Sequence, residues 1–129
     1  MKHTALYAEH RRLGATLVEF AGWEMPVSYS GILDEARAVR QAAGLFDVSH
    51  MGVLQLRGTD ARAELERLVT CAVRDLPPGR VRYGLMLAPN GGLLDDLLIY
   101  SLAPDDLWVV ANAANASRDL QWIQEHVSP

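Results

Sequence analysis

Three apolar runs in the second half of the chain, Val81 to Leu87, Leu93 to Leu102 and Leu107 to Ala111, are separated only by the turn formers PNGG and APDD. Runs of that length between such turns predict strands, and connections that short predict an antiparallel meander. Val53 to Arg57 alternates apolar and polar positions and predicts a further strand. Elsewhere the period is helical. Ser30 precedes GILDEARAVRQAAG, in which Ile32, Ala36, Val39 and Ala43 recur at three and four residues and Gly44 stands at the stop position. Thr4 is placed to cap a first helix running to His10 or Leu13, with Gly14 as its stop. Thr59 or Asp60 can cap a helix whose buried face is Leu65, Leu68 and Val69, and Asn115 can cap a last one, Ala116 to His126, with Leu120, Trp122 and Ile123 on it. Between the first two helices EFAGWEMPVSYS carries a glycine and a proline and predicts a long irregular connection. LFDVSHMG reads as irregular and RDLPPGR as a break. Helices before, between and after an antiparallel sheet define an α+β fold, with helices packed on a β-meander.

Within this pattern GGLLDDLLIY is anomalous, because two adjacent carboxylates interrupt an apolar strand. Neighbouring side chains in a strand point to opposite faces, so Asp95 goes with Leu93, Leu97 and Ile99, and Asp96 with Leu94, Leu98 and Tyr100. Whichever face is covered, one carboxylate sits among hydrophobic neighbours, where an ionised group is costly unless hydrogen-bonded or paired. One reading is structural: an inward charge that discourages edge pairing, or an aspartate satisfied by backbone amides and an arginine such as Arg80 or Arg82. The other is functional: a carboxylate in a partly dry pocket that hydrogen-bonds a ligand nitrogen or supports charge developing in a reaction. In some registers of the hairpin turning at PNGG, Tyr83 shares a face with Asp96 and Tyr100. The sequence alone leaves that register open.

Composition narrows the classes. The chain has 129 residues, half of them hydrophobic and 22% charged, the balance of one globular domain. The formal net charge is −4 and no Lys/Arg run is dense enough to track phosphates, so nucleic acid is not expected. The N-terminus lacks a signal-type apolar segment and no apolar run approaches the roughly 20 residues that span a bilayer, so no membrane association is expected. The single cysteine, Cys71, excludes an internal disulfide and a Cys-based zinc cluster, and reads as a small buried hydrophobe. Asp47, Ser49 and His50 superficially resemble hydrolase equipment, but a triad is recognised by geometry, and the histidine reads as part of a packed loop. The glycine-rich turns lack a phosphate-binding pattern. Trp23, Trp108 and Trp122 read as core or interface aromatics.

Taken together, FAGWEMPVSYS, AVRQAAGLFDVSHMG, GGLLDDLLIY and VVANAANASRDLQWI resemble the aminomethyltransferases, or T-proteins, of the glycine cleavage system, in that family's order and spacing. The resemblance implies a folate-binding fold. It also implies transfer of the methylene carbon from the aminomethyl-lipoyl H-protein to tetrahydrofolate, with release of ammonia and formation of 5,10-methylenetetrahydrofolate. The partners so implied are lipoylated H-protein and tetrahydrofolate as co-substrate, with no metal, in the cytoplasm. The family's key acid falls on Asp96, which would orient the pterin and stabilise positive charge. Tyr83, Tyr100, Val110 and Asn112 fall on positions lining the folate pocket, Met51 falls at its edge, and Asp95 becomes the structural neighbour.

Members of that family are longer, with further domains around a central folate channel. Residues 1–129 are therefore expected to be an N-terminal segment, weak or inactive alone and prone to self-association through apolar surface left exposed. Two other functions remain in view. A folate-binding accessory protein of iron-sulfur cluster assembly would bind folate with no aminomethyl transfer, but GWEMP, FDVSHMG and the paired aspartates favour the transferase. The folate domain of a dimethylglycine or sarcosine dehydrogenase would follow a flavin domain, and no dinucleotide fingerprint is present. An interaction module without a ligand is the fourth reading.

Overall fold

The computed structural model describes residues 1–127, which fall into two compact units, the first Met1–His50 and the second from Met51 onward. The first contains α1 (Tyr7–Arg12), β1 (Thr16–Phe20), β2 (Trp23–Ser28) and α2 (Ile32–Gln41). The second contains β3 (Gly52–Arg57), α3 (Ala61–Glu66), β4 (Val81–Leu87), β5 (Leu93–Ala103), β6 (Asp106–Ala111) and α4 (Ala116–His126). Both helices and strands are present with antiparallel sheets, so the α+β reading holds.

The first unit corrects the expected irregular connection. EFAGWEMPVSYS lies mostly in an antiparallel hairpin, with Phe20 opposite Trp23 and Val18 opposite Met25. Its two-residue turn puts both Ala21 (φ 52°) and Gly22 (φ 82°) in the left-handed region, the conformation whose twist matches a hairpin. Alanine is an uncommon choice there, and this hid the turn. Pro26 is tolerated beside an irregularity: a register shift stands next to its partner Leu17, and the other edge of β2 is bridged by Lys2 at Trp23, away from the proline.

The caps also differ from expectation. Thr4 does not cap α1: its hydroxyl donates to the Asp47 carboxylate at 2.6 Å, and Leu6 occupies the N-cap without a side-chain bond. Gly14 does provide the left-handed stop, at φ 74°. Ser30 does not cap α2. Instead Glu35 turns back and accepts the backbone N–H groups of Tyr29, Ser30 and Gly31 at 2.7, 2.8 and 3.0 Å, which hold its carboxyl below the ordinary range. The helix stops at Gln41, ahead of Gly44. No residue of α2 is buried; Ile32, Ala36, Val39 and Ala43 line an open groove of about 770 Å³ with Leu45 and Phe46.

The polar centre of this unit is Asp47. It accepts from Thr4, from the Ser49 backbone N–H at 2.9 Å, and pairs with His10 Nε2 at 2.8 Å; His10 Nδ1 meets the Tyr29 hydroxyl at 2.7 Å. Burial alone would raise its pKa, but the bonds from Thr4, His10 and Ser49 outweigh that and hold it far below the ordinary value. His50 forms no triad with Asp47. Its Nδ1 has no hydrogen-bond partner among the described residues, and its ring meets Phe20 edge-on, with centroids 5.6 Å apart.

In the second unit the strand order is β3-β6-β5-β4, antiparallel throughout. Three strands form the expected meander, and β3, first in the chain, joins at the far edge of β6. One sheet face carries Met86, Leu97, Ile99, Leu107, Val109 and Ala111, all essentially inaccessible, packed with Leu65 of α3 and Ile123 of α4. Arg62 of α3 knits the connections to this core. Its guanidinium donates to the carbonyls of Val73, Leu76, Ala103 and Pro104 and to the Ser101 hydroxyl. Cys71 packs its sulfur where Gly84 leaves room: a Cβ there would stand 2.6 Å from Sγ.

Two outcomes test these packing statements. Gly52→Ala brings a methyl within 2.5 Å of Ala116 Cβ at the start of α4, two groups with no rotamer to yield. It is expected to cost about 1–3 kcal/mol in urea unfolding. Asp47→Asn is expected to lower stability at neutral pH and to remove part of the acid lability. The depressed folded pKa means that Asp47 contributes fully above the unfolded value near 3.9, and that this is lost as pH falls through the folded one. An unchanged acid-unfolding midpoint in Asp47→Asn would contradict the assignment.

Candidate functional site: the open face of the four-stranded sheet

Strand β5 places its two aspartates on opposite faces. Asp95 is 4% exposed, in line with Leu97, Ile99 and Ser101, whereas Asp96 is exposed together with Leu98. The pairing fixes the register that the sequence left open. Tyr83 stands opposite Leu98, and Leu98 opposite Val110, which in turn stands opposite Val53. One row thus crosses all four strands. The neighbouring row holds Val81, Tyr100 and Trp108, and Asp96 lies on the other side, opposite Leu85. Tyr83, Asp96, Tyr100 and Val110 therefore share the face that α3 and α4 leave uncovered. Asn112 follows directly at the end of β6 and bonds to Asp96, while Met51 immediately precedes β3, whose Gly52 pairs with Ala111. The arrangement is an acid set among aromatic and aliphatic side chains, suited to a flat ligand with N–H donors.

The buried aspartate is satisfied by amides. Asp95 Oδ2 accepts the Asn112 backbone N–H at 3.0 Å, and Oδ1 accepts Asn112 Nδ2 at 2.9 Å and Asn115 Nδ2 at 2.7 Å. No arginine is involved: Arg82 donates instead to Asp75 at 2.7 Å and to the Ala72 carbonyl at 2.6 Å. Asn115 sits at the N-cap of α4, but its amide serves Asp95 rather than the helix. Burial opposes ionisation of Asp95, yet its contacts with Asp119, Asn112 and Asn115 together hold its pKa below the ordinary value.

Asn112 links the two aspartates. Its Nδ2 lies 2.9 Å from Asp95 Oδ1, 3.1 Å from Asp96 Oδ1 and 3.2 Å from the Asp96 carbonyl. Three acceptors around one amide nitrogen fix which way that side chain faces. Arg118 of α4 donates to the Leu94 carbonyl, fastening the helix start to the same strand.

A residue that sequence reading missed completes the cluster. Asp119, on α4, is fully buried; among the described residues neither carboxyl oxygen has a hydrogen-bond donor, and Arg118 Nε is 3.7 Å from Oδ1. Burial first, then the adjacent Asp95 carboxylate, push its pKa up to about 7. The available signal was spacing. Asp119 and Ile123 are four apart and share the buried face of α4, whereas Leu120 is 40% exposed.

An antiparallel sheet backed by helices, with a buried acid behind the strand and an exposed acid in front, defines an α+β unit whose other sheet face is open. The chain belongs to the GCVT N-terminal domain family, whose model matches residues 6–129. It is 48% identical over 128 residues to an aminomethyltransferase of Chlorobium luteolum and 45% identical over 126 residues to one of Thermotoga maritima. The matches cover 99% and 98% of this chain and 35% of each relative. Among solved structures it is similar to the glycine cleavage system aminomethyltransferase T of Bartonella henselae, with a TM-score of 0.93 and 37% identity over 97% of this chain and 35% of that one. The chain thus spans about a third of the length of the relatives it matches.

The Asp119 carboxyl gives the stability curve a sign. The unfolded chain releases this proton near pH 3.9, whereas the folded one keeps it to about 7, so the native state binds one more proton between those values. Stability is expected to fall as pH rises across that window, and Asp119→Asn is expected to flatten the slope. Equal slopes in the two proteins, measured by urea titration from pH 4 to 8, would show that Asp119 ionises normally.

Proposed function

We propose that this chain is the folate-facing N-terminal part of an aminomethyltransferase of the glycine cleavage system. In this reading the methylene carbon passes from the aminomethyl-lipoyl arm of H-protein to tetrahydrofolate, and ammonia leaves. The observation that carries it is Asp96, exposed on an aromatic and aliphatic sheet face and bonded to Asn112 at 3.1 Å, in a chain whose relatives are named aminomethyltransferases. The location proposed with it is the cytoplasm; separately, among the described residues no helix is long and apolar enough to cross a membrane.

The face fits a pterin. A flat heterocycle rich in N–H groups needs an apolar or aromatic wall and a fixed acceptor, and Tyr83, Leu98, Tyr100 and Val110 supply the wall while Asp96 supplies the acceptor. When bound, tetrahydrofolate supplies the nitrogen nucleophile that takes up the one-carbon unit. Asp96 orients that nitrogen and stabilises the positive charge that develops as the amine leaves, because an acceptor already in place needs little reorganisation. Asn112 holds the Asp96 carboxylate, and Met51 closes the rim. Asp95 acts as support.

Titration calorimetry of tetrahydrofolate against the chain and against Asp96→Asn tests this reading. Saturable binding weakened about tenfold or more by the substitution is expected, since a hydrogen bond to a charged group contributes on the order of 1.5–3 kcal/mol. Equal affinity of both proteins would remove Asp96 from the folate site.

A further inference from the structure

We propose that Asp119 is a positioning residue that stays protonated, donates its carboxyl proton to Asp95, and through Asp95 and Asn112 fixes the Asp96 carboxylate on the open face. The inference deepens the reading of Asp96 as the reacting acid and rests on it only for its functional meaning. The hydrogen-bond chain itself can be measured without folate.

Geometry carries the argument. Asp119 is completely buried on α4 with no hydrogen-bond donor on either oxygen among the described residues, and Arg118 Nε, at 3.7 Å, forms an ion pair with Oδ1 beyond hydrogen-bond reach. An ionised carboxylate without donors in that position is strongly disfavoured, whereas a neutral carboxyl carries a donor of its own. The acceptor beside it is Asp95, whose other bonds all come from amides. Asp95 is then an ionised acceptor of the Asn112 backbone N–H, two side-chain amides and one carboxyl proton. Asn112 Nδ2 reaches from that buried carboxylate to Asp96 Oδ1 and the Asp96 carbonyl. The charged groups acting on Asp119 are Asp95 and Arg118, and the elevated pKa of Asp119 agrees with this assignment.

Loss of the Asp119 proton would place two carboxylates side by side in the core and push Asp95 against its bonds to Asn112. The orientation of Asp96 is thereby tied to a proton held on the far side of the sheet.

The substitutions separate a donor role from a charge role. Asp119→Asn keeps size and an N–H donor without a titrating proton; Asp119→Ala removes the donor. Carbon-detected NMR of the Asp carboxyl groups and of the Asn112 side-chain amide, followed from pH 4 to 9 in the ligand-free chain, reads the linkage directly. The wild type is expected to show one common inflection near pH 7 at Asp119, the Asn112 amide and the Asp96 carboxyl carbon. Asp119→Asn should abolish that inflection while keeping the low-pH Asn112 shifts. Asp119→Ala should move those shifts, and should weaken tetrahydrofolate binding about fivefold to tenfold where Asp119→Asn changes it less than about twofold.

The proposal is overturned if wild-type Asn112 and Asp96 show no inflection with Asp119, or if Asp119→Asn shifts the Asn112 amide as a lost donor would. Should Asp119→Ala fail to fold, the wild type and Asp119→Asn decide the matter by themselves. A linked inflection together with tetrahydrofolate binding indifferent to Asp96→Asn would uphold the positioning chain and reject the folate reading, so the two failures are distinct.

Discussion

A strand cannot put adjacent side chains on the same face, and the second unit is arranged around that constraint at Asp95 and Asp96. With the helices on one side, one aspartate has to enter the core and the other has to leave it. The buried one costs free energy unless its lone pairs are filled, and they are filled by Asn112 and Asn115, which come from the end of β6 and the start of α4. The same bonds therefore join β5 to β6 and seat the helix. Removing the charge from the interior would relieve a cost but also free the helix start and the amide that contacts Asp96.

The first unit solves a similar problem differently. It has little apolar core of its own, and Asp47 draws together the start of the chain, α1 and the segment after α2 through Thr4, His10 and Ser49. Its hairpin and α2 leave Phe20, Ile32, Leu33, Leu45 and Phe46 exposed. Polar fastening substitutes here for the close packing that holds the sheet of the second unit.

Elements dictated by local pattern were legible. The meander from Val81, the strand from Gly52 and the helix from Ala116 lie close to where periodicity and turn residues put them. The hairpin at Ala21-Gly22 was not, because its turn uses an alanine where Asn, Asp or Gly is usual, and Pro26 argued against a strand that accommodates it beside a register shift. Side chains expected as caps were taken by distant partners: Thr4 by Asp47 and Asn115 by Asp95, contacts that span 43 and 20 residues of chain. The face shared by Tyr83, Asp96, Tyr100 and Val110 was one of several registers open to the sequence, and pairing selected it. Asp119 escaped because a charged residue at a helical position ordinarily points to solvent, and its spacing of four from Ile123 is a weaker signal than its charge.

The position of β3 has a consequence for how the unit forms. The hairpins β4–β5 and β5–β6 close over short loops, but Arg57 and its partner Asp106 are 49 residues apart in the chain. Closing so long a loop loses more chain entropy before any contact compensates it, and local pairings form ahead of distant ones. The three strands β4, β5 and β6, with Asp96 and the tyrosines, are thus assembled among near neighbours. The edge beside Met51 depends on a strand made early in synthesis that must wait for its partner.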